Sequence, residues 1–298
     1  MRLFACLLLF ALFASVSALA EGDATRGEYL YRAAGGCGCH TDRAGGGAEL
    51  AGGRAMKTPF GTFYSTNITA DAETGIGRWS DEDFIAAMTR GVAPHGRHLF
   101  PVFPYPSFAG MTRADLLDLK AYLFAQPAVR QPNRPHEVWP PFGWRWPLPV
   151  WKWLNLPLSV PTLPPARRDD PLVARGSYLV NALGHCAECH TPRNLMGGLR
   201  NGLFLAGSSD GPEGELAPNI TPHKPTGLGG WSARDITWLL ESGFKPDGDD
   251  VQGLMAESIE HGYGHLTLQD RDAIAAYLGT IPAVDRKVSK SSKNKGRK

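Results

Sequence analysis

The pattern of polar caps and apolar faces occurs twice along this chain. Ser80 to Asp83 and Ser232 to Asp235 each set a hydroxyl three residues before a carboxylate, the arrangement that opens a helix. The helices predicted from there close at Gly91 and Gly243, residues suited to the left-handed position after a last turn. A second pair of starts, Thr112 to Asp115 and Thr267 to Asp270, opens the last helix of each copy. Leu116, Leu119, Tyr122 and Leu123 in one copy, and Ile274, Tyr277 and Leu278 in the other, recur at helical spacing and form one apolar face each. The fold class predicted from this pattern is all-α.

The residues between these helices repeat as well. Arg26-Gly27-Glu28-Tyr29-Leu30 answers Arg175-Gly176-Ser177-Tyr178-Leu179, and Asn67-Ile68-Thr69 answers Asn219-Ile220-Thr221. Thr74-Gly75-Ile76-Gly77 answers Thr226-Gly227-Leu228-Gly229. From Asn67 to Gly96 the offset is constant at 152 residues, as Asn219 stands to Asn67. Two tandem copies of one unit explain this. The predicted organisation is a leader over 1–20, a first domain over 21–127, a Pro/Trp-rich linker over 128–170, a second domain over 171–285 and a basic tail over 286–298. Trp139, Trp144, Trp146, Trp151 and Trp153 crowd the linker. Exposed tryptophan costs stability, so their rings are expected to pack over the seam between domains. A docking or membrane-interface surface is the other reading.

Candidate chemistry centres on Cys186-Ala187-Glu188-Cys189-His190, the C-x-x-C-H attachment pattern of a c-type haem. Its two thiols, one helical turn apart, can reach the two vinyl groups at one porphyrin edge, and His190 offers the proximal imidazole. The first copy is altered to Cys37-Gly38-Cys39-His40, with one residue fewer between the cysteines. On a helix a two-residue step turns about 200°, against about 300° for three. Cys39 and His40 keep the usual relation, so Cys39 is the safer thioether donor. Cys37 either attaches through backbone distorted at Gly35, Gly36 and Gly38, or stays free. A first domain without haem is the further alternative.

These motifs, with the Asn-Ile-Thr and Thr-Gly-[Ile/Leu]-Gly segments and the run Phe103-Pro104-Tyr105-Pro106-Ser107-Phe108, resemble the di-haem and tri-haem cytochrome c subunits of bacterial periplasmic dehydrogenases for alcohols, gluconate and related substrates. The resemblance covers about residues 21 to 285. It implies two tandem cytochrome c-type helical domains, each with its last helix across the haem-motif helix, that pass electrons singly. Met255 follows Gly243 by 12 residues, in what reads as a loop before the last helix, and is the expected sixth ligand of the second haem. Met196 is the weaker candidate. Carried back 152 residues, the Met255 position is Phe103, which has no lone pair to give. The resembling subunits usually hold a Met there. The first haem is then open beneath Phe103, closed by His98 (nearer) or His95, or reached by Met111.

Charge and the ends of the chain bear on location. The body from Glu21 to Asp285 carries 23 basic and 29 acidic residues, while the tail from Arg286 adds seven basic ones. An acidic body suits docking to a basic redox partner, and the tail suits anionic lipid or an acidic partner, or is simply solvated. Residues 1–20, with Arg2 and an apolar core from Leu3 to Phe13, read as a cleaved signal peptide; a membrane anchor is the competing reading. Four of the five cysteines then remain, all in the two attachment motifs. The expected protein is a periplasmic di-haem carrier, soluble or peripheral to the inner membrane. A dehydrogenase stands upstream; a soluble cytochrome, a quinol system or an oxidase stands downstream; no nucleic acid is involved. Two alternatives stay open: a di-haem peroxidase or thiosulfate-oxidising enzyme using an open first haem, and a zinc module built on the four cysteines.

Overall fold

A computed structural model describes residues 22–156 and 169–289. The leader over 1–20, the part of the linker over 157–168 and the tail over 290–298 lie outside the described residues. The first half holds α1 (Ala24–Ala33), α2 (Asp81–Arg90), the short α3 (Tyr105–Phe108) and α4 (Arg113–Ala125). The linker holds α5 (Leu148–Asn155). The second half holds α6 (Pro171–Tyr178), the single turn α7 (Ala187–His190), α8 (Ala233–Ser242), α9 (Gly253–His261) and α10 (Leu268–Leu278). Among the described residues, no helix is long and apolar enough to cross a membrane.

Local chemistry sets the helix ends. Ser80 and Ser232 form full capping boxes with Asp83 and Asp235, and Gly91 (φ 59°) and Gly243 (φ 80°) end the same helices in the left-handed region. In each half the first and last helices cross at a glycine. A Cβ on Gly27 would stand 2.0 Å from the Asp118 carbonyl oxygen, and one on Gly176 would stand 1.9 Å from that of Ala273. Any side chain there forces α1 off α4, or α6 off α10. The last helix therefore crosses the helix ahead of each attachment motif rather than the motif itself.

The fold is not all-α. β1 (Ala55–Thr58) and β2 (Gly61–Tyr64) make an antiparallel hairpin, and β5 (Glu137–Val138) from the linker adds a third strand. β3 (Val92–Ala93) and β4 (Arg97–His98) make a second, two-stranded sheet. These strands are too short to carry a legible alternation. The third also depends on a contact more than seventy residues away in sequence: a Cβ on Gly61 would lie 2.3 Å from the Glu137 carbonyl oxygen, so only glycine admits that strand.

One contiguous apolar cluster runs through both halves, joining Leu30, Leu116 and Leu119 to Val180, Leu183 and Tyr277. A smaller one, Phe63, Phe100 and Leu148, lies under the linker. The tryptophans do not pack as expected. Trp139, Trp144, Trp146 and Trp153 are exposed, and Trp151 is only half-buried, its indole N–H donating to the Met196 carbonyl at 2.7 Å.

Candidate functional site

The altered motif Cys37-Gly38-Cys39-His40 lies in a tight turn over Gly35–His40. Three successive residues there, Gly35 (φ 74°), Gly36 (φ 70°) and Cys37 (φ 47°), adopt left-handed backbone. That distortion is how the chain absorbs the missing residue. The second motif is regular after a single left-handed residue, His185 (φ 40°), and the His190 N–H donates to the Cys186 carbonyl at 2.9 Å.

The two histidines are held alike. His40 Nδ1 lies 2.7 Å from the Thr66 carbonyl oxygen, and His190 Nδ1 lies 2.7 Å from that of Pro218. A carbonyl only accepts, so Nδ1 carries the proton and Nε2 keeps its lone pair. Burial pushes both imidazoles below their ordinary pKa, with the carbonyl bond pulling the other way, so each ring is neutral. A neutral imidazole fixed through Nδ1 is the form that ligates a metal through Nε2.

The carbonyls are held in turn by the Asn-Ile-Thr segments that follow them, a role their sequence did not disclose. Asn67 accepts from the Thr69 amide (2.9 Å) and hydroxyl (2.7 Å) and donates to the Val129 carbonyl (2.7 Å). Asn219 accepts from the Thr221 amide (2.9 Å) and hydroxyl (2.7 Å) and donates to the Val284 carbonyl (2.8 Å). Each half thus ties its histidine to the chain leaving its last helix.

The four cysteines of the attachment motifs form no disulfide with one another. Burial pushes Cys37, Cys186 and Cys189 up to about 12, and it raises Cys39 against the pull of Arg54. None has the lowered pKa of a nucleophilic cysteine. Among the described residues, no three His, Cys, Asp or Glu side chains gather in a metal-holding group.

The halves are crossed at the motifs. α9 of the second half packs on the first attachment turn, where Glu257 pairs with Arg54 (2.6 Å) and lies against Gly38. α3 of the first half packs on the turn Leu179–Leu183 before the second motif. There the Ser107 hydroxyl donates to Glu188 (3.3 Å), and Phe108 meets His185 edge-on at 5.5 Å. Tyr263 fills the space between the motifs. It donates to the Gly184 carbonyl at 2.8 Å, and a Cβ on Gly35 would be 3.6 Å from its oxygen.

Met255 lies within α9 and not in a loop. It is half-buried against the main core. Phe103 lies half-buried against Phe108, ring centres 5.7 Å apart. His98, on β4, has its Nδ1 3.0 Å from Lys152 Nζ, which also donates to the Arg90 and Gly91 carbonyls at 2.7 Å. An ammonium only donates, so His98 carries its proton on Nε2. Ligation through Nε2 requires that proton to move.

No family model matches the chain. A gluconate 2-dehydrogenase cytochrome c subunit of Pantoea cypripedii is 41% identical over 283 residues, which are 91% of this chain and 63% of that protein. A diheme cytochrome c-type protein of Cereibacter sphaeroides is 41% identical over 268 residues, 89% of this chain and 88% of the relative. The chain belongs to the c-type cytochrome family. This cytochrome is also 39% identical over 267 residues to the cytochrome c subunit of a Gluconobacter oxydans alcohol dehydrogenase (quinone), 87% of this chain and 55% of that one. It spans less than two thirds of the gluconate and alcohol subunits. Membership implies covalent haem c. The residues of this cytochrome fit that group: the four motif cysteines stand beside two neutral histidines, each with its Nε2 lone pair left to bind.

Proposed function

We propose that this cytochrome is a periplasmic di-haem electron carrier that takes electrons from a dehydrogenase of a small organic substrate and hands them to the respiratory chain. The observation that carries the reading is the matched pair of histidine–carbonyl bonds, one beside each attachment motif. Each haem, when bound, supplies an iron that accepts and releases one electron. Cys186 and Cys189 hold the second group by two thioethers, and Cys39, with or without Cys37, holds the first. His190 and His40 would each give Nε2 to an iron, oriented by the Pro218 and Thr66 carbonyls. Met255 would give its thioether sulfur to the iron of the second haem. The crossed contacts bring the two attachment motifs to one seam, with Tyr263 between them. The relatives named as dehydrogenase subunits support the upstream partner.

A second reading, a di-haem enzyme with an open first site, draws support from two observations. Phe103 cannot ligate, and Lys152 occupies the Nδ1 of His98. Intact mass after acid denaturation, combined with a reduced visible spectrum, tests the carrier reading. The expected mass is the chain from Glu21 plus two haem increments. A single increment removes the first half from the haem account, and none overturns the reading.

A further inference from the structure

A lysine fills one place in the first half where the second half has a cavity. In the first half α2 ends at Gly91 and the chain doubles back through β3 and β4. Val92 pairs with His98, and the Leu99 N–H donates to the Gly91 carbonyl at 2.8 Å. The second half repeats this hairpin 152 residues on. Phe244 pairs with Asp250, and the Val251 N–H donates to the Gly243 carbonyl at 2.9 Å. Lys152 of the linker helix α5 closes the first hairpin and is only 8% exposed. Its Nζ donates to the Arg90 and Gly91 carbonyls at 2.7 Å and lies 3.0 Å from His98 Nδ1. The counterparts of those three residues are Ser242, Gly243 and Asp250. All three line a cavity of about 460 Å³, and among the described residues no lysine or arginine lines it.

The cavity suits a cation better than the place Lys152 fills. The carbonyls at a helix C-terminus carry negative partial charge, and Pro94 and Pro246 have no N–H to give to Arg90 and Ser242, four residues back. Where the first hairpin has His95, Arg97 and His98, the second has Asp247, Asp249 and Asp250. Two nearby carboxylates are already paired, Asp249 with Lys245 and Glu241, on the cavity wall, with Arg271. Asp247, Asp250 and Glu260 have no ion pair among the described residues. Asp250 accepts from the Gln252 amide at 2.7 Å, and His265, also on the wall, gives its Nε2 proton to the Glu260 carbonyl at 3.0 Å. Val251, Ala256 and Ile259 add an apolar wall for the stem of a long cationic side chain. Phe244 on the rim is 47% exposed, and Trp238, one turn before Ser242 on α8, is 52% exposed. Exposed aromatic rings beside a charged recess mark a protein contact rather than a site for a small amine. We propose that this cavity receives a lysine of a basic redox protein, as the first hairpin receives Lys152. Asp250 and Glu260 meet the ammonium, and Phe244 and Trp238 cover the contact. That the partner exchanges electrons rests on the carrier reading, since Ala256 on the wall adjoins Met255 in α9.

The test mixes the full haem-loaded, reduced protein with oxidised mitochondrial cytochrome c, a lysine-rich redox protein. Stopped-flow absorbance gives the rate of electron transfer, and carbodiimide coupling of carboxylate to amine, read by peptide mass, gives the place of contact. The expected result is fast transfer that slows with added salt, and coupling at Asp250 or Glu260. Asp250→Asn with Glu260→Gln should slow the bimolecular rate about tenfold at low salt. Asp210→Asn with Asp272→Asn removes the same charge from exposed positions outside the cavity and should leave the rate within about twofold of wild type. Unfolding midpoints should not move in either variant. Equal slowing in the two variants reduces the effect to overall charge and overturns the site, as does an unslowed cavity variant. Coupling at the cavity without electron transfer keeps the site and counts against the carrier reading. Contact that appears only after removal of residues 290–298 gives the cavity to the chain's own lysines and overturns the partner.

Discussion

Tyr29 donates its phenol proton to Asp270 Oδ2 at 2.6 Å, and so joins the first helix of one half to the last helix of the other. Tyr178 returns the bond onto Asp115. The backbone amides agree: Thr267 donates to the Tyr29 oxygen and Thr112 to the Tyr178 oxygen, each at 3.2 Å. The seam is therefore self-complementary, like the contact between two subunits of a symmetric dimer.

Tyr29→Phe should lower global stability by about 1–2 kcal/mol, because it removes a bond to a charged acceptor while Arg175 keeps its two. Guanidinium unfolding followed by far-ultraviolet circular dichroism measures this. Tyr178→Phe should cost a similar amount, and the double variant should lose less than the sum of the two if the seam opens as one unit, because the first substitution already loosens the second bond.

The same contact sets a pH dependence. Burial alone would raise the Asp270 carboxyl, but hydrogen bonds from Arg175 and Tyr29 outweigh it and hold the group below its ordinary 3.8. A carboxyl depressed in the folded state contributes stability that is full above its unfolded value. That contribution is lost as pH falls through the folded one. Stability should therefore fall below about pH 4. The fall should be shallower in Tyr29→Phe, in denaturant series run at stepped pH.

Asn219→Ala frees the Thr221 hydroxyl and the Val284 carbonyl in a site where Asn219 is only 3% exposed. The expected cost is about 2–4 kcal/mol. The loosened Pro218 carbonyl should also make His190 a poorer electron donor and raise the potential of the second haem. Redox titration with both haems resolved checks this. A change in stability with both potentials unmoved would reduce Asn219 to a packing role.

Met255→Ala should abolish the weak far-red charge-transfer band of His/Met ferric haem and lower one of the two potentials. If band and potential both persist, the α9 methionine belongs to the core alone.

Carbon monoxide added to reduced protein reports on the first site. Binding at one haem in wild type indicates an open position beneath Phe103 and favours the enzymatic reading. Binding only in His98→Ala indicates that His98 leaves Lys152 to ligate iron. Absence of binding in both rejects both arrangements.

What was legible in the chain was local. A serine three residues before an aspartate, or a glycine after a last turn, acts through bonds within one turn, so Ser80, Ser232, Gly91 and Gly243 are readable without the rest of the molecule. The glycines flanking Cys37 were readable for the same reason. What was hidden depends on distant partners. β5 exists only because Gly61 lets Glu137 approach, and His98 meets Lys152 from 54 residues away. The crossing of α3 and α9 onto the opposite motifs leaves no periodic mark at all. The tryptophans misled because burial was inferred from residue type, while their actual setting is fixed by Lys152 turning inward.

The crossing has an evolutionary consequence. The first attachment turn is walled by α9 of the second half, and the second motif by α3 of the first. A Cβ at Gly38 would come within 3.0 Å of Glu257 Oε1, and Ser107 answers Glu188. A substitution at these positions in either half therefore meets a side chain of the other. Across diverging descendants, positions 38 and 257, and 107 and 188, should change in step, and a half transplanted from a distant cousin should fail unless its opposite number comes with it.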